Sequence, residues 1–128
     1  MTLPGSVAAR LPTAFSDALR AVVAAAPGAR AAVFLDLEGE AIDQFVARGT
    51  VDVRLVGAHL GVIVSLARDR AAAFGRTEEV VVEAARGTLV ALAVDERYLV
   101  ALEAAPDAPL GLLRRELYRT RAALRELM

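Results

Sequence analysis

His59 is the only imidazole in a chain of 128 residues that has no cysteine, which excludes the usual thiol and imidazole zinc sites and any Cys/His nucleophile pair. A Ser-His-Asp arrangement would have to draw His59 out of the most apolar stretch, Leu55 to Ala67, and no strand-to-helix serine motif is present to complete it. His59 therefore reads as an interface or partly buried residue. Carboxylates are densest at Asp36, Glu38, Glu40 and Asp43, a ligand type that suits a hard cation such as calcium. Their spacing does not fit a calcium loop, and Glu38-Gly39 is the ordinary chemistry of a tight turn. With no lysine in the chain, a nucleotide-binding P-loop cannot exist.

Arginine is the remaining reactive type. Arg68, Asp69 and Arg70 close the apolar part of the central segment, where a guanidinium could reach into a partner's phosphate site. The alternative is a solvated helix end in which the cations complement the negative end of the helix dipole. Arg114, Arg115, Arg119, Arg121 and Arg125 decorate the last amphipathic segment, whose apolar stripe is Leu110, Leu113, Leu117, Leu124 and Leu127. Most of these arginines are expected to be solvated. No set of groups converges as an enzyme requires, so no catalytic residue, cofactor or metal is expected.

The elements that must position these residues follow from periodicity. Residues 1–12 carry two prolines and no clear period, and read as a loose lead-in to one domain spanning 13–128. From Pro12, Phe15, Leu19, Val22 and Val23 fall on one helical stripe that Pro27-Gly28 terminates. Ala31–Leu35 and Ala41–Ala47 form a hairpin around Gly39. A long segment from Val51 to Phe74 reads as a central helix stopped by Gly75. Glu79–Ala84, Thr88–Val94 and Tyr98–Leu102 are three strands joined by turns too short for anything but hairpins. A turn through Pro106 and Asp107 then leads into a closing helix, with an acidic residue before its first turn and an early proline. The order α-β-β-α-β-β-β-α predicts an α+β fold, a five-stranded antiparallel sheet with helices packed on it.

Two features of the central helix point outward. Leu55, Val56, Leu60, Val62, Ile63, Val64 and Leu66 surround nearly its whole middle, so both of its faces should be covered. A domain this small has too few other elements for that, and a second chain is the expected cover. Gly57, Gly61 and Ser65 stack at four-residue spacing into a groove without large side chains. That groove serves either close approach of another helix or packing on the chain's own sheet, and each glycine costs roughly 1 kcal/mol of helix propensity.

Composition narrows the partners. Fifteen basic residues, all arginine, stand against sixteen acidic ones for a net charge of −1, with no basic stripe to follow a phosphate backbone, so nucleic acid is not expected. The absence of lysine fits a GC-rich coding genome. A hydrophobic share of 56% with no tryptophan comes from alanine, valine and leucine, an excess that suits an oligomer interface. No apolar run approaches the ~18 residues needed to insert in a membrane, and the N-terminus lacks the features of a secretory signal, so the expected location is the cytoplasm.

Specific residues add a family to this order. Ala32-Val33-Phe34-Leu35-Asp36-Leu37-Glu38-Gly39-Glu40-Ala41-Ile42 resembles the first hairpin of the Roadblock (dynein light chain) family. Glu78-Glu79-Val80-Val81-Val82-Glu83, the Arg86-Gly87 turn and Ala108-Pro109-Leu110-Gly111-Leu112-Leu113-Arg114 resemble its last strands and its Leu-Gly-Leu helix start. The resemblance spans roughly residues 13–127, and its bacterial Mgl-type members match best. It implies a noncatalytic, homodimerising or heterodimerising domain in which third strands pair across the dimer and central helices lie side by side. It also implies partners, namely another, MglB-like roadblock protein or a Ras-like small GTPase, in control of cell polarity or motility. On that basis Arg54, His59, Arg68 and Arg70 are the expected partner-binding residues, and Gly57, Gly61, Ser65, Val81 and Glu83 the expected dimer interface. The extension that family activators use after the last helix has no counterpart before Met128, which places an adaptor ahead of a GTPase-activating subunit.

Overall fold

The computed structural model describes residues 13–47 and 53–128, without the side chains of 53–56 and 58. The expected lead-in at 1–12 lies outside the described residues. Helix α1 (Ala14–Ala25) starts at a reciprocal cap, in which Thr13 Oγ1 accepts the Ser16 N–H at 3.0 Å and Ser16 Oγ accepts the Thr13 N–H at 2.8 Å. The same Thr13 hydroxyl donates to Asp43 Oδ2 at 2.8 Å, which ties the helix start to the second strand. Strands β1 (Ala29–Asp36) and β2 (Ala41–Val46) form the first hairpin. In its turn Asp36 Oδ1 accepts the N–H groups of Glu38 at 2.9 Å and Glu40 at 3.0 Å, and Gly39 takes φ +87°. Of the dense carboxylates, Asp36 thus organises the turn and Asp43 tethers the helix start, while Glu38 and Glu40 are exposed.

Helix α2 (Val53–Arg70) is shorter than the sequence suggests at its C-terminal end. The α-helix stops at Arg70, and a single 3-10 turn, Ala72–Phe74, carries the chain to Gly75 at φ +100°. Strands β3 (Glu79–Ala84), β4 (Gly87–Ala93) and β5 (Tyr98–Ala104) follow as a meander, and α3 (Leu110–Leu127) closes the fold. Asp107 does not cap α3, whose N-cap is Pro109 with no side-chain hydrogen bond. The two neighbouring N–H groups of Leu112 and Leu113 instead share the Pro109 carbonyl at 3.1 Å.

The sheet is antiparallel throughout, in the order β2-β1-β5-β4-β3, so β5 is central and β2 and β3 are edges. Alternation sorts its side chains between two cores. On one face Phe34, Leu92, Val100 and Leu102 meet Leu19 and Val22 of α1 and Leu113, Leu117 and Leu124 of α3. On the other, Val33, Leu35, Ala91, Leu99 and Ala101 meet Leu60 and Val64 of α2. The first core holds the larger side chains, with Phe15 stacked on Phe34 at 5.3 Å, and each fully buried leucine or phenylalanine there contributes roughly 2–3 kcal/mol.

The second face is sealed at one end by a close backbone approach. A Cβ on Gly61 would lie 3.0 Å from Gly39 N and 3.2 Å from Leu37 O, and one on Gly57 would lie 3.4 Å from Gly39 O. The two glycines therefore let α2 settle onto the chain's own β1–β2 turn. Of the two sequence readings of the small-residue groove, the structure realises intrachain packing at Gly57 and Gly61, which are buried; Ser65 is exposed.

Candidate partner-binding surface

Because α2 buries only Gly57, Leu60, Gly61 and Val64 among the residues whose side chains are described, the rest of its circumference faces outward. His59, Val62, Ile63, Leu66 and Arg70 recur at intervals of three and four, which is one stripe of a helix. Val62 is 59% and Leu66 51% exposed. Beyond the stripe, the 3-10 turn presents Phe74, which is 93% exposed. A cluster of branched side chains in contact with water over more than one turn, with an exposed phenylalanine beyond it, is costly unless something covers it.

Of the four expected partner-binding residues, His59 and Arg70 are exposed and share this stripe. Arg54 belongs to α2, and its side chain lies outside the described residues. Arg68 points elsewhere. Its Nη1 donates to the Glu96 carbonyl in the β4–β5 turn at 3.4 Å, while Nε and Nη2 are buried without a hydrogen-bond partner among the described residues. Val62, Ile63, Leu66 and Phe74 complete the surface and were not among the expected site residues. Their signal in the sequence was the apolar circumference of the helix, which could not show which side the sheet would cover.

Val81 and Glu83 are both exposed, on edge strand β3. Val81 stands opposite Val90 and Glu83 opposite Thr88, so the side chains of both lie on the α1/α3 face of the sheet. The residues of β3 that share the α2 face are Val80 and Val82, opposite Ala91 and Leu89. Val81 and Glu83 thus do not join the α2 stripe through their side chains; what β3 offers to both faces alike is its free backbone edge.

The arginines of α3 are less idle than a solvated helix face. Arg114 grips Glu79 of β3 with Nε at 2.6 Å and Nη2 at 2.8 Å, a two-pronged pair, and Tyr118 Oη approaches the same carboxylate at 3.5 Å. That hydrogen bond, and then the Glu79 charge, raise the Arg114 pKa above the ordinary arginine value. Arg125 Nε donates to the Val94 carbonyl at 2.7 Å, and Arg121 reaches Glu78 and the Ala93 carbonyl, each at 3.4 Å. These three fasten α3 to β3 and to the end of β4. Arg115 and Arg119 remain largely solvated.

Among the described residues no group of three or more His, Asp or Glu is placed to hold a metal ion, and no helix is long and apolar enough to cross a membrane. No protein-family model matches the sequence, and no curated protein matches it. Solved structures do match. A Roadblock/LC7 domain from Streptomyces avermitilis superposes with a TM-score of 0.77 at 20% identity, over 86% of this chain and 93% of that one. The chain has the Roadblock/LC7 fold. Two further structures with this fold are similar over nearly their whole length. The gliding protein MglB of Thermus thermophilus gives a TM-score of 0.80 at 21% identity, covering 88% of this chain and 87% of that one. MglC of Myxococcus xanthus gives 0.66 at 26% identity, covering 91% and 100%. The Roadblock arrangement expected from the first hairpin and the Leu-Gly-Leu helix start is therefore the one the chain adopts.

Proposed function

We propose that this protein is a noncatalytic roadblock adaptor or regulator, a cytoplasmic homodimer that binds another, MglB-like roadblock protein, a Ras-like small GTPase, or both, in bacterial cell polarity or motility control. The observation that carries the reading is the outward stripe of α2, with Val62, Ile63 and Leu66 flanked by His59 and Arg70. Its apolar middle suits burial by another protein, and its polar ends suit a rim that selects the partner. The likeness in fold to the gliding protein MglB and to MglC supports a role beside other roadblock proteins in motility. Ser65 on α2, with Val81 and Glu83 on edge β3, are the exposed members of the dimer seam in this reading.

A second reading is a GTPase-activating subunit. Arg70 favours it, because an exposed guanidinium at the end of an apolar docking stripe could reach a bound GTPase's phosphate site. One experiment separates the two. Affinity capture from the source organism's lysate, run with a GTP analogue and with GDP and read by mass spectrometry, should enrich a roadblock protein in both conditions if the chain is an adaptor acting upstream of the GTPase. Capture of a small GTPase only with the analogue would favour an effector or activator, and acceleration of that GTPase's turnover by the purified chain would decide for the activator. Capture of neither would sink both readings.

A further inference from the structure

The helix on the opposite side of the sheet from α2 carries a second surface. Along the outer side of α3, Gly111, Arg114, Arg115, Tyr118, Arg119 and Ala122 line an open depression of about 590 Å³. Gly111 and Ala122 leave its two ends low, while the long side chains between them form its walls. The Arg121 guanidinium lies 4.7 Å from the Tyr118 ring centroid, a contact that favours this placement of the ring at the middle of the depression.

Charge in this depression is sorted by depth. The side chains of Arg114, Arg115 and Arg119 are 45%, 59% and 69% exposed, whereas those of Glu79 and Glu116, their carboxylate partners, are only 17% and 10% exposed. The cations meet solvent and the anions face inward. Glu116 occupies Arg115 through Nε at 3.2 Å and Arg119 only through long contacts from Nη1 at 3.4 and 3.5 Å, so both guanidiniums keep donors turned to solvent. The helix as a whole has five arginines and two glutamates, in a chain whose net charge is −1. Cations exposed above their buried carboxylate partners present positive charge to solvent, which favours a partner of the other sign.

We propose that the outer face of α3 is a docking surface for a short, extended acidic segment of a partner protein, with alternate carboxylates seated on Arg115 and Arg119. The two arginines are one helical turn apart, about 6 Å along the axis. Alternate residues of an extended chain are spaced about 6.7 Å apart, close enough to meet both. From Gly111 to Ala122 the depression runs about 16 Å, room for roughly five extended residues. Because α2 and α3 lie on opposite faces of the sheet, this segment and an α2 partner could be held at once. The surface stands independently of what α2 binds.

The test is fluorescence anisotropy with a labelled peptide of alternating glutamate and serine, about eight residues long, against the same peptide with lysine for glutamate. The glutamate peptide should bind at least ~10-fold more tightly than the lysine one, and roughly tenfold less tightly on moving from low to high salt, as exposed charge pairs require. Arg115→Gln with Arg119→Gln should remove that preference, while Arg20→Gln with Arg86→Gln should leave it intact. Because the first pair of substitutions strips Glu116 of its partners, the triple variant that adds Glu116→Gln keeps the measurement interpretable if the double variant unfolds. Equal binding of the two peptides overturns the proposal, as does full retention of binding in the folded variant. Binding to phosphatidylserine vesicles without binding to the glutamate peptide overturns it in favour of a lipid surface. Light scattering of the same variants reports on association through α2, so failure here is distinguishable from failure of the adaptor reading.

Discussion

A few residues set the geometry through contacts that leave no slack. At Gly61 any side chain beyond hydrogen meets the backbone of Gly39 and the Leu37 carbonyl at 3.0–3.2 Å, and backbone cannot rotate away as a side-chain tip would. Gly61→Leu should therefore destabilise the monomer fold by about 1–3 kcal/mol, the range seen for overpacking, measured by urea unfolding. Unchanged unfolding together with lost self-association would instead assign Gly61 to a contact between chains. Gly87 is constrained differently, since a Cβ there would lie 2.8 Å from the side-chain tip Arg30 Nη2, with the Ala104 carbonyl at 3.2 Å as the backbone contact. Arg30 uses that nitrogen to reach the Arg86 and Ala104 carbonyls, each at 3.0 Å, and the Glu103 carboxylate, so the β3–β4 turn is pinned to β1 and β5. Arg114 illustrates a different residue-scale effect. Its pKa is raised by the hydrogen bond to Glu79 and by the Glu79 charge, so its charge is fully present below the ordinary arginine range and would be lost only on rising through the still higher folded-state value. The Arg114 side of the pair therefore adds no pH dependence anywhere near neutrality.

Elements hold together through their ends as much as through their faces. The α1 start depends on Thr13, which both caps the helix and donates to Asp43, so Thr13→Ala should cost about 1–2 kcal/mol in thermal or chemical unfolding. A loss near zero would show that Ser16 and water replace the cap. On α2 the buried and exposed stripes can be separated by substitution. Leu66→Glu and Val62→Glu change residues that are more than half exposed, so the fold should survive, as judged by circular dichroism and an unchanged unfolding midpoint within about 0.5 kcal/mol. Association through the stripe should be lost, because a carboxylate would be buried without a partner. Retained association in both variants would move the interface off α2.

At the scale of the molecule, among the described residues, helices α1 and α3 lie over one face of the sheet and α2 over the other. The second face is the thinner one, and it is bounded by the free edge of β3 on one side and of β2 on the other. If α2 and β3 together form the seam, light scattering should give twice the 13.5 kDa chain mass across a wide concentration range. A monomer at every concentration would end the dimer reading.

The sequence by itself determined the element order, because apolar periods of two and of three to four switch at Gly28 and Gly75, while turns at Gly39 and Gly87 interrupt runs of period two, and those periods are set by backbone geometry. It also determined the absence of thiol, lysine and all but one imidazole, which removes Cys/His nucleophile pairs and a lysine P-loop. Strand pairing order, with β5 in the middle and β3 at an edge, came only from the fold, since pairing joins residues as far apart as Ala29 and Ala104 that no local period relates. The candidate site divided along the same line. His59 and Arg70 were legible as polar residues at the margins of an apolar helix, but Val62, Ile63 and Leu66 looked like Leu60 and Val64 in sequence. Only the seating of α2 on the β1–β2 turn decided which of those branched side chains became core and which became surface, because burial is a property of what lies opposite a residue and not of the residue.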